Sequence, residues 1–298
     1  MRVFVTGATG FVGSAIVKEL IGAGHEVLGL TRSDAGANAL IEAGAEVHHG
    51  TLEDLESLQS GAAACEGVIH TAFIHDFSKF IENCETDRRA INAMGDVLMG
   101  SKRPLIITSG TGLGSTAPGG VALETNLASL KNHANPRVAS EEAAAEVAAR
   151  GVNVSIMRLP PSVHDKGDHG FVPMLINLAR EKGISAYIGD GANRWPAVHR
   201  SDAAHLYRLA LEKGVASTYH AVGDAGIPTR EIAGTIGRHL NLPVISLSAE
   251  DAAAHFGWMA GFVGMDVPAS ALLTEERLGW KPAHVGLIAD LEDGHYFA

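Results

Sequence analysis

The run Thr6-Gly7-Ala8-Thr9-Gly10-Phe11-Val12-Gly13 decides how this chain is read. It stands between an apolar strand, Arg2 to Thr6, and a stretch with helical spacing, Ser14 to Ala23. Glycines between a strand and a helix permit a tight reversal, let the backbone approach a pyrophosphate, and let the helix pack closely on the strand. The start of the helix adds unpaired N–H groups and the positive end of the peptide dipole. Gly7, Thr9, Gly10, Phe11, Val12 and Gly13 are therefore candidate phosphate-binding residues.

Outward from this turn, short apolar strands alternate with helical stretches. Val27 to Leu30 predicts a second strand and Ala37 to Ala43 a helix. Glu46 to His48 and Gly67 to His70 predict strands on either side of a helix from Leu52 to Ala64, and a long helix then runs through Met99. Pro104 to Thr108 and Asn153 to Arg158 predict two more strands, separated by a helix from Ser140 to Arg150. Apolar strands alternating with helices mean a parallel sheet covered on both faces. After Arg158 the pattern breaks, because Pro160-Pro161 cannot continue a central strand. The expectation is an α/β chain: a doubly wound parallel sheet of the Rossmann type with a smaller C-terminal substrate lobe. Residues 1–165 form the dinucleotide-binding part, with 196–224 returning to it; residues 166–195 and 225–298 form the lobe.

The second strand ends in Leu30-Thr31-Arg32-Ser33. An NAD-specific fold places Asp or Glu there for the ribose 2′-hydroxyl, whereas a guanidinium and a hydroxyl suit a 2′-phosphate. Arg32 and Ser33 thus favour NADP over NAD, with Asp34 nearby as the opposing feature.

Composition narrows the rest. Hydrophobic residues are 46% and charged residues 19% of 298, ordinary for a globular enzyme. A net charge of −11 opposes a nucleic-acid or anionic-membrane partner. No apolar run is long enough to span a bilayer, and the N-terminus starts as a strand rather than as a signal peptide. Two cysteines, Cys65 and Cys84, without ligand spacing point to a reduced, cytoplasmic protein. The 15 histidines show no ligand-spaced pair, so no metal is expected.

Further motifs join the phosphate loop. Val68 to Ala72, Ile107-Thr108-Ser109-Gly110, Arg158-Leu159-Pro160-Pro161, Val198 to Ala203 and Leu278-Gly279-Trp280-Lys281-Pro282 span nearly the whole chain. Together with the loop they resemble the extended, epimerase-like branch of the short-chain dehydrogenase/reductase superfamily. The resemblance implies cofactor contacts from Thr51, Leu52, Thr71, Ala72, Phe73 and Pro160, and a homodimer through helices of the Rossmann domain. It departs at Gly50-Thr51, where the family usually has Gly-Asp, and at the catalytic Tyr-x-x-x-Lys, which this sequence lacks.

In place of that pair stands His133-Ala134-Asn135-Pro136-Arg137, as in atypical members with His-x-x-x-Arg. Two registers compete. In the first, which needs no gap, His133 takes the Tyr place, 24 residues after Ser109, and Arg137 the Lys place, 21 residues before Arg158. In the second, Arg137 takes the Tyr place and Glu141 the Lys place, at the cost of one helical turn. The first register makes Ser109, His133 and Arg137 the catalytic candidates: Ser109 on the substrate oxygen, His133 as proton donor, and Arg137 on the nicotinamide ribose and the oxyanion. The expected function is an NADP-dependent oxidoreductase acting on a small carbonyl or alcohol. The rivals are a nucleotide-sugar epimerase or dehydratase with tightly held NAD, and a redox sensor that binds NADPH without turnover.

Overall fold

The computed structural model describes residues 1–115, 117, 119–128, 135–213 and 215–298. Six strands open the chain: β1 (Arg2–Thr6), β2 (Glu26–Thr31), β3 (Glu46–His49), β4 (Gly67–His70), β5 (Pro104–Gly110) and β6 (Asn153–Leu159). They stand in the order β6-β5-β4-β1-β2-β3, all parallel. β7 (Ser162–His164), β8 (Ser185–Ile188) and β9 (Arg194–His199) lie outside this sheet, and β10 (Thr218–His220) returns beside β6 as its seventh strand. β11 (Asp224–Pro228) completes a small sheet with β9 and β7, and β12 (Val244–Leu247) pairs with β8.

The crossovers are α1 (Phe11–Gly22), α2 (Asp34–Glu42), α3 (Leu55–Ala63), α4 (Phe80–Leu98) and α5 (Val138–Ala149). α6 (Phe171–Lys182) precedes β8, and α7 (Arg200–Lys213) carries the chain back to β10. The rest is α8 (Thr229–Leu240), α9 (Ala249–Phe256), α10 (Ala260–Val263), α11 (Leu272–Leu278) and α12 (Leu287–Glu292).

The pleat sends alternate strand residues to opposite faces. Val3, Val5 and Ile106 pack with Ile16 and Leu20 of α1 and with Leu206 and Tyr207 of α7. Phe4, Leu105 and Ile107 pack on the other face with Leu58 of α3, Ile91 and Met94 of α4 and Val147 of α5. Both faces are thus covered, as a doubly wound parallel sheet requires. A third core joins Val172 and Ile176 of α6 with Trp195, Ile232, Phe256 and Leu291.

Helix starts shift from the expected places where side chains cap them. The Ser33 hydroxyl accepts from Gly36 N, so α2 begins at Asp34. The Asp54 carboxylate accepts from Ser57 N, so α3 begins at Leu55 and leaves Leu52 in the preceding loop. The Asn135 side chain accepts from Arg137 N, and α5 follows from Val138.

Candidate active site

The carboxyl ends of β1, β4, β5 and β6 lie side by side, and Gly7, Thr71, Ala72 and Arg137 come together there. Gly7 turns the chain at φ +68°, where a Cβ would stand 2.7 Å from Ala72 N. A Cβ at Gly13 would stand 1.9 Å from the Gly7 carbonyl oxygen, so only glycine lets α1 meet β1 this closely. Gly10 is different: it caps α1 without a side-chain bond, and a Cβ there meets only Gly7 O, at 3.2 Å. Thr9 and Gly10 are exposed, Phe11 and Val12 partly so. A turn stripped of side chains over free helix N–H groups fits a pyrophosphate. The Phe11 ring is flanked by Arg200, 4.6 Å away, and by the edge of His169.

At the end of β2, Arg32 and Ser33 are exposed. Ser33 caps α2, whereas Arg32 has no hydrogen bond or ion pair with any described residue. Thr51 accepts from Glu53 N, and Leu52 turns into the core beside Leu28 and Leu30. Thr71 donates to the Thr6 carbonyl, Ala72 N donates to the Thr6 hydroxyl, and Pro160 is buried just after β6.

Arg137 reaches the same edge. Its Nη2 donates to the Thr108 carbonyl of β5 at 3.0 Å, and its guanidinium lies 4.2 Å from the centre of the Phe73 ring. Nη1 donates to Asp87 Oδ2 at 2.7 Å and to the Ser140 hydroxyl. Asp87 is 1% exposed and also accepts from Ser140 and from His70 Nε2, at 2.9 Å. Because that nitrogen must donate to the carboxylate, His70 Nδ1 accepts from the Thr6 hydroxyl at 2.7 Å. A buried polar chain thus runs from beside the phosphate loop, through Thr6, His70 and Asp87, to Arg137. Burial alone would raise the Asp87 pKa, but the Arg137 charge and the bonds from His70 and Ser140 hold the carboxyl well below the usual carboxylate range. Below β5, the Thr108 hydroxyl donates to the His70 carbonyl and accepts from buried Tyr207, whose phenol is pushed up by burial.

Ser109, expected on a substrate oxygen, is 5% exposed and donates to Glu141 Oε1 at 2.6 Å, inside the contact between β5 and α5. Glu141 is held by a two-pronged bond from Arg158, at 2.8 and 2.7 Å. Arg158 also donates to the carbonyls of Leu123 and Asn126 and to His220 Nε2. The side chains therefore set Arg137 at the crevice and Glu141 in the core. Two residues past Ser109, the buried Thr111 hydroxyl has no partner among the described residues. His133 lies outside the described residues.

Asp87 and His70 were missed by sequence reasoning. For Asp87 a signal existed: it continues the buried stripe of α4 through Ala90, Ile91, Met94 and Leu98, and a carboxylate on an apolar stripe calls for a partner. Other polar clusters lie away from this edge. Arg194 is clamped by both oxygens of Asp266 and donates to the Gly119 carbonyl. His164 and His199 meet edge to face and His199 stacks on His284, lining a cavity of about 90 Å³ with Asp202 and Asp224. No group among the described residues is disposed to hold a metal, and no described helix is long and apolar enough to cross a membrane. Cys65 and Cys84 are buried free thiols, both pushed up to about 11 by burial.

Comparison with known proteins agrees with this fold. The uncharacterized protein C2A9.02 of Schizosaccharomyces pombe is 54% identical over 298 residues, covering 100% of both chains. UDP-glucose 4-epimerase of Streptomyces lividans is 25% identical over 99% of this chain and 96% of its own. The crystal structure of a dTDP-glucose 4,6-dehydratase from Streptomyces venezuelae, with NAD bound, superposes with a TM-score of 0.78 at 20% identity, over 99% of this chain and 96% of that one. The model of the NAD dependent epimerase/dehydratase family matches residues 3–223. The chain belongs to the NAD dependent epimerase/dehydratase family.

Proposed function

We propose that this protein is an NADP-dependent oxidoreductase that transfers a hydride to or from a small carbonyl or alcohol. The supporting observation is the placement of two guanidiniums along the carboxyl edge of the sheet: Arg32 just after β2, without a partner among the described residues, and Arg137, bonded to the Thr108 carbonyl of β5. Gly7, Thr9, Gly10, Phe11, Val12 and Gly13 would hold the pyrophosphate, and Arg32 and Ser33 the 2′-phosphate. Thr51 and Leu52 would flank the adenine; Thr71, Ala72, Phe73, Arg137 and Pro160 would flank the nicotinamide half.

When bound, the nicotinamide supplies or takes up the hydride. The chain must then steady the negative charge that gathers on the carbonyl oxygen and deliver a proton to it. A guanidinium serves as a hydrogen-bond donor and fixed charge rather than as an acid, so Arg137 stabilises the oxygen but gives no proton. His133, four residues earlier, is the proposed donor. Ser109 is engaged by Glu141 and would have to release it to reach a substrate; the unpaired Thr111 hydroxyl is the alternative at that strand end.

The test is a titration of pure protein with NADPH and NADH, followed by a panel of carbonyl compounds scored by NADPH oxidation. Tighter NADPH binding with turnover of at least one compound is expected. Equal affinity for the two cofactors would refute the NADP assignment. NAD retained through purification would favour the epimerase or dehydratase reading, and NADPH binding without turnover of any compound would favour the sensor.

A further inference from the structure

A wall of aromatic rings runs outward from Arg137. Phe73 lies beneath the guanidinium and meets His75 and Phe80 edge to face. Phe77, in the turn before α4, stacks on Trp258 with ring centres 4.9 Å apart and touches Phe262. Phe171 at the start of α6 packs on Phe262 at 5.0 Å and on Trp258. The loop after β4 and the C-terminal lobe are therefore joined by rings. Trp258 keeps 53% of its surface exposed, an unusual state for the largest apolar side chain.

The wall starts where chemistry would occur. β5 stands two strands from β1, about 10 Å at the usual spacing, so Arg137 lies within one dinucleotide half of the phosphate loop. The rings themselves bear no fixed charge, and Asp76 and Lys79, which lie between Phe73 and Phe80 in the chain, are exposed. Desolvation, and then the nearby charges of Arg137 and His169, hold His75 below its ordinary pKa. A nucleotide-sugar brings a second pyrophosphate and needs cations of its own. Arg194, the guanidinium at the start of β9, is neutralised by Asp266.

We propose that this wall is the substrate-binding face, and that the substrate is a flat, uncharged aromatic or conjugated carbonyl compound, or its alcohol, with the oxygen toward Arg137. The inference deepens the oxidoreductase reading and rests on it for the reaction: the carbonyl carbon gains the hydride of NADPH, the C–O π pair moves to oxygen, and a proton completes the alcohol, leaving NADP oxidised. Stacking supplies affinity that does not depend on charge, and the exposed face of Trp258 is the part of the wall left to be covered.

The test is calorimetric titration of 2-acetylnaphthalene and of UDP-glucose into the full protein, with and without NADP⁺, for wild type, Trp258→Ala and Phe77→Ala. Trp258 is half exposed, so its truncation leaves the fold intact, and thermal unfolding checks both variants. The ketone should bind more tightly than UDP-glucose, and each truncation should weaken it about tenfold while NADPH affinity stays unchanged. Tighter binding of UDP-glucose, no binding of the ketone to wild type, or unchanged ketone affinity in a folded Trp258→Ala protein would each overturn the proposal. Ketone binding that depends on Trp258 in a protein that fails to bind NADPH would support the wall and sink the cofactor reading instead.

Discussion

Asp87→Asn removes one charge and almost no volume from the centre of the buried polar chain. The carboxylate is 1% exposed and accepts from Arg137, His70 and Ser140. Breaking a fully buried ion pair costs about 3–5 kcal/mol, because the surviving charge is left without a partner. Arg137 keeps 16% of its side chain exposed, so part of its charge stays hydrated and the loss falls below that range. The expected destabilisation is about 2–3 kcal/mol, near the upper range for a charge-assisted bond, or a fall in Tm of roughly 5 °C for a chain of this size. NADPH affinity should fall as well, because the released guanidinium no longer faces the crevice in one orientation. A double-mutant cycle with Arg137→Gln separates this from general damage. With Arg137 gone, Asp87 is itself a buried charge lacking its cation, so Asp87→Asn in that background should be neutral or stabilising. Thermal unfolding and NADPH fluorescence titration on the four proteins measure both couplings. If the two substitutions add within 0.5 kcal/mol, the usual behaviour of independent sites, Asp87 does not act through Arg137 and the reasoning fails.

Arg32→Glu should weaken NADPH by roughly 1–3 kcal/mol, the worth of a charge-assisted pair, and leave NADH nearly unaffected in the same titration. Gly10→Val should abolish binding of both cofactors with little change in Tm, whereas Gly13→Ala should also destabilise the fold, since its Cβ would stand 1.9 Å from Gly7 O; equal Tm values for the two variants would contradict this contrast. His133→Ala should lower turnover by about two to four orders of magnitude if it is the general acid, with NADPH affinity little changed; full activity would remove it from the mechanism. His220 is held down at about 4, by burial first and then by the Arg158 cation, and its Nε2 accepts from that guanidinium. Its folded-state pKa is lowered, so the unfolded chain binds the extra proton: stability is complete above about pH 6.5 and falls by roughly 3 kcal/mol as pH drops toward 4. Chemical denaturation at pH 7, 5.5 and 4.5 should show this slope in wild type and a shallower one in His220→Gln.

The Rossmann half was legible because its signals are local. The glycine turn, the apolar strands and the second strand's Arg32-Ser33 ending each lie within a few residues, and their order alone implies the sheet. The site was less legible because it depends on contacts between distant segments. Asp87 meets Arg137 from 50 positions away and His70 from 17. Ser109 was placed at a strand end, but strand parity sends it toward α5 with Ile107, and only the opposing Glu141 explains a hydroxyl there. Glu141 stands out in the sequence only as the Lys place of the second register, and its pairing with Arg158 across the β6–α5 contact carries no local signal.

Arg158 also dictates an order of assembly. From β6 it fastens Glu141 of α5 and the carbonyls of Leu123 and Asn126, partners 17, 35 and 32 positions earlier in the chain. None of these bonds exists until β6 has docked beside β5, because the guanidinium is carried on that strand. Closing such long loops is slow compared with forming a helix. The stretch 119–128, which carries Leu123 and Asn126, is therefore among the last described parts of the Rossmann half to be tied down. During refolding, protease cleavage within residues 119–128 should persist after α1 to α4 have become protected, and in Arg158→Lys, which cannot form the two-pronged bond, that window should lengthen.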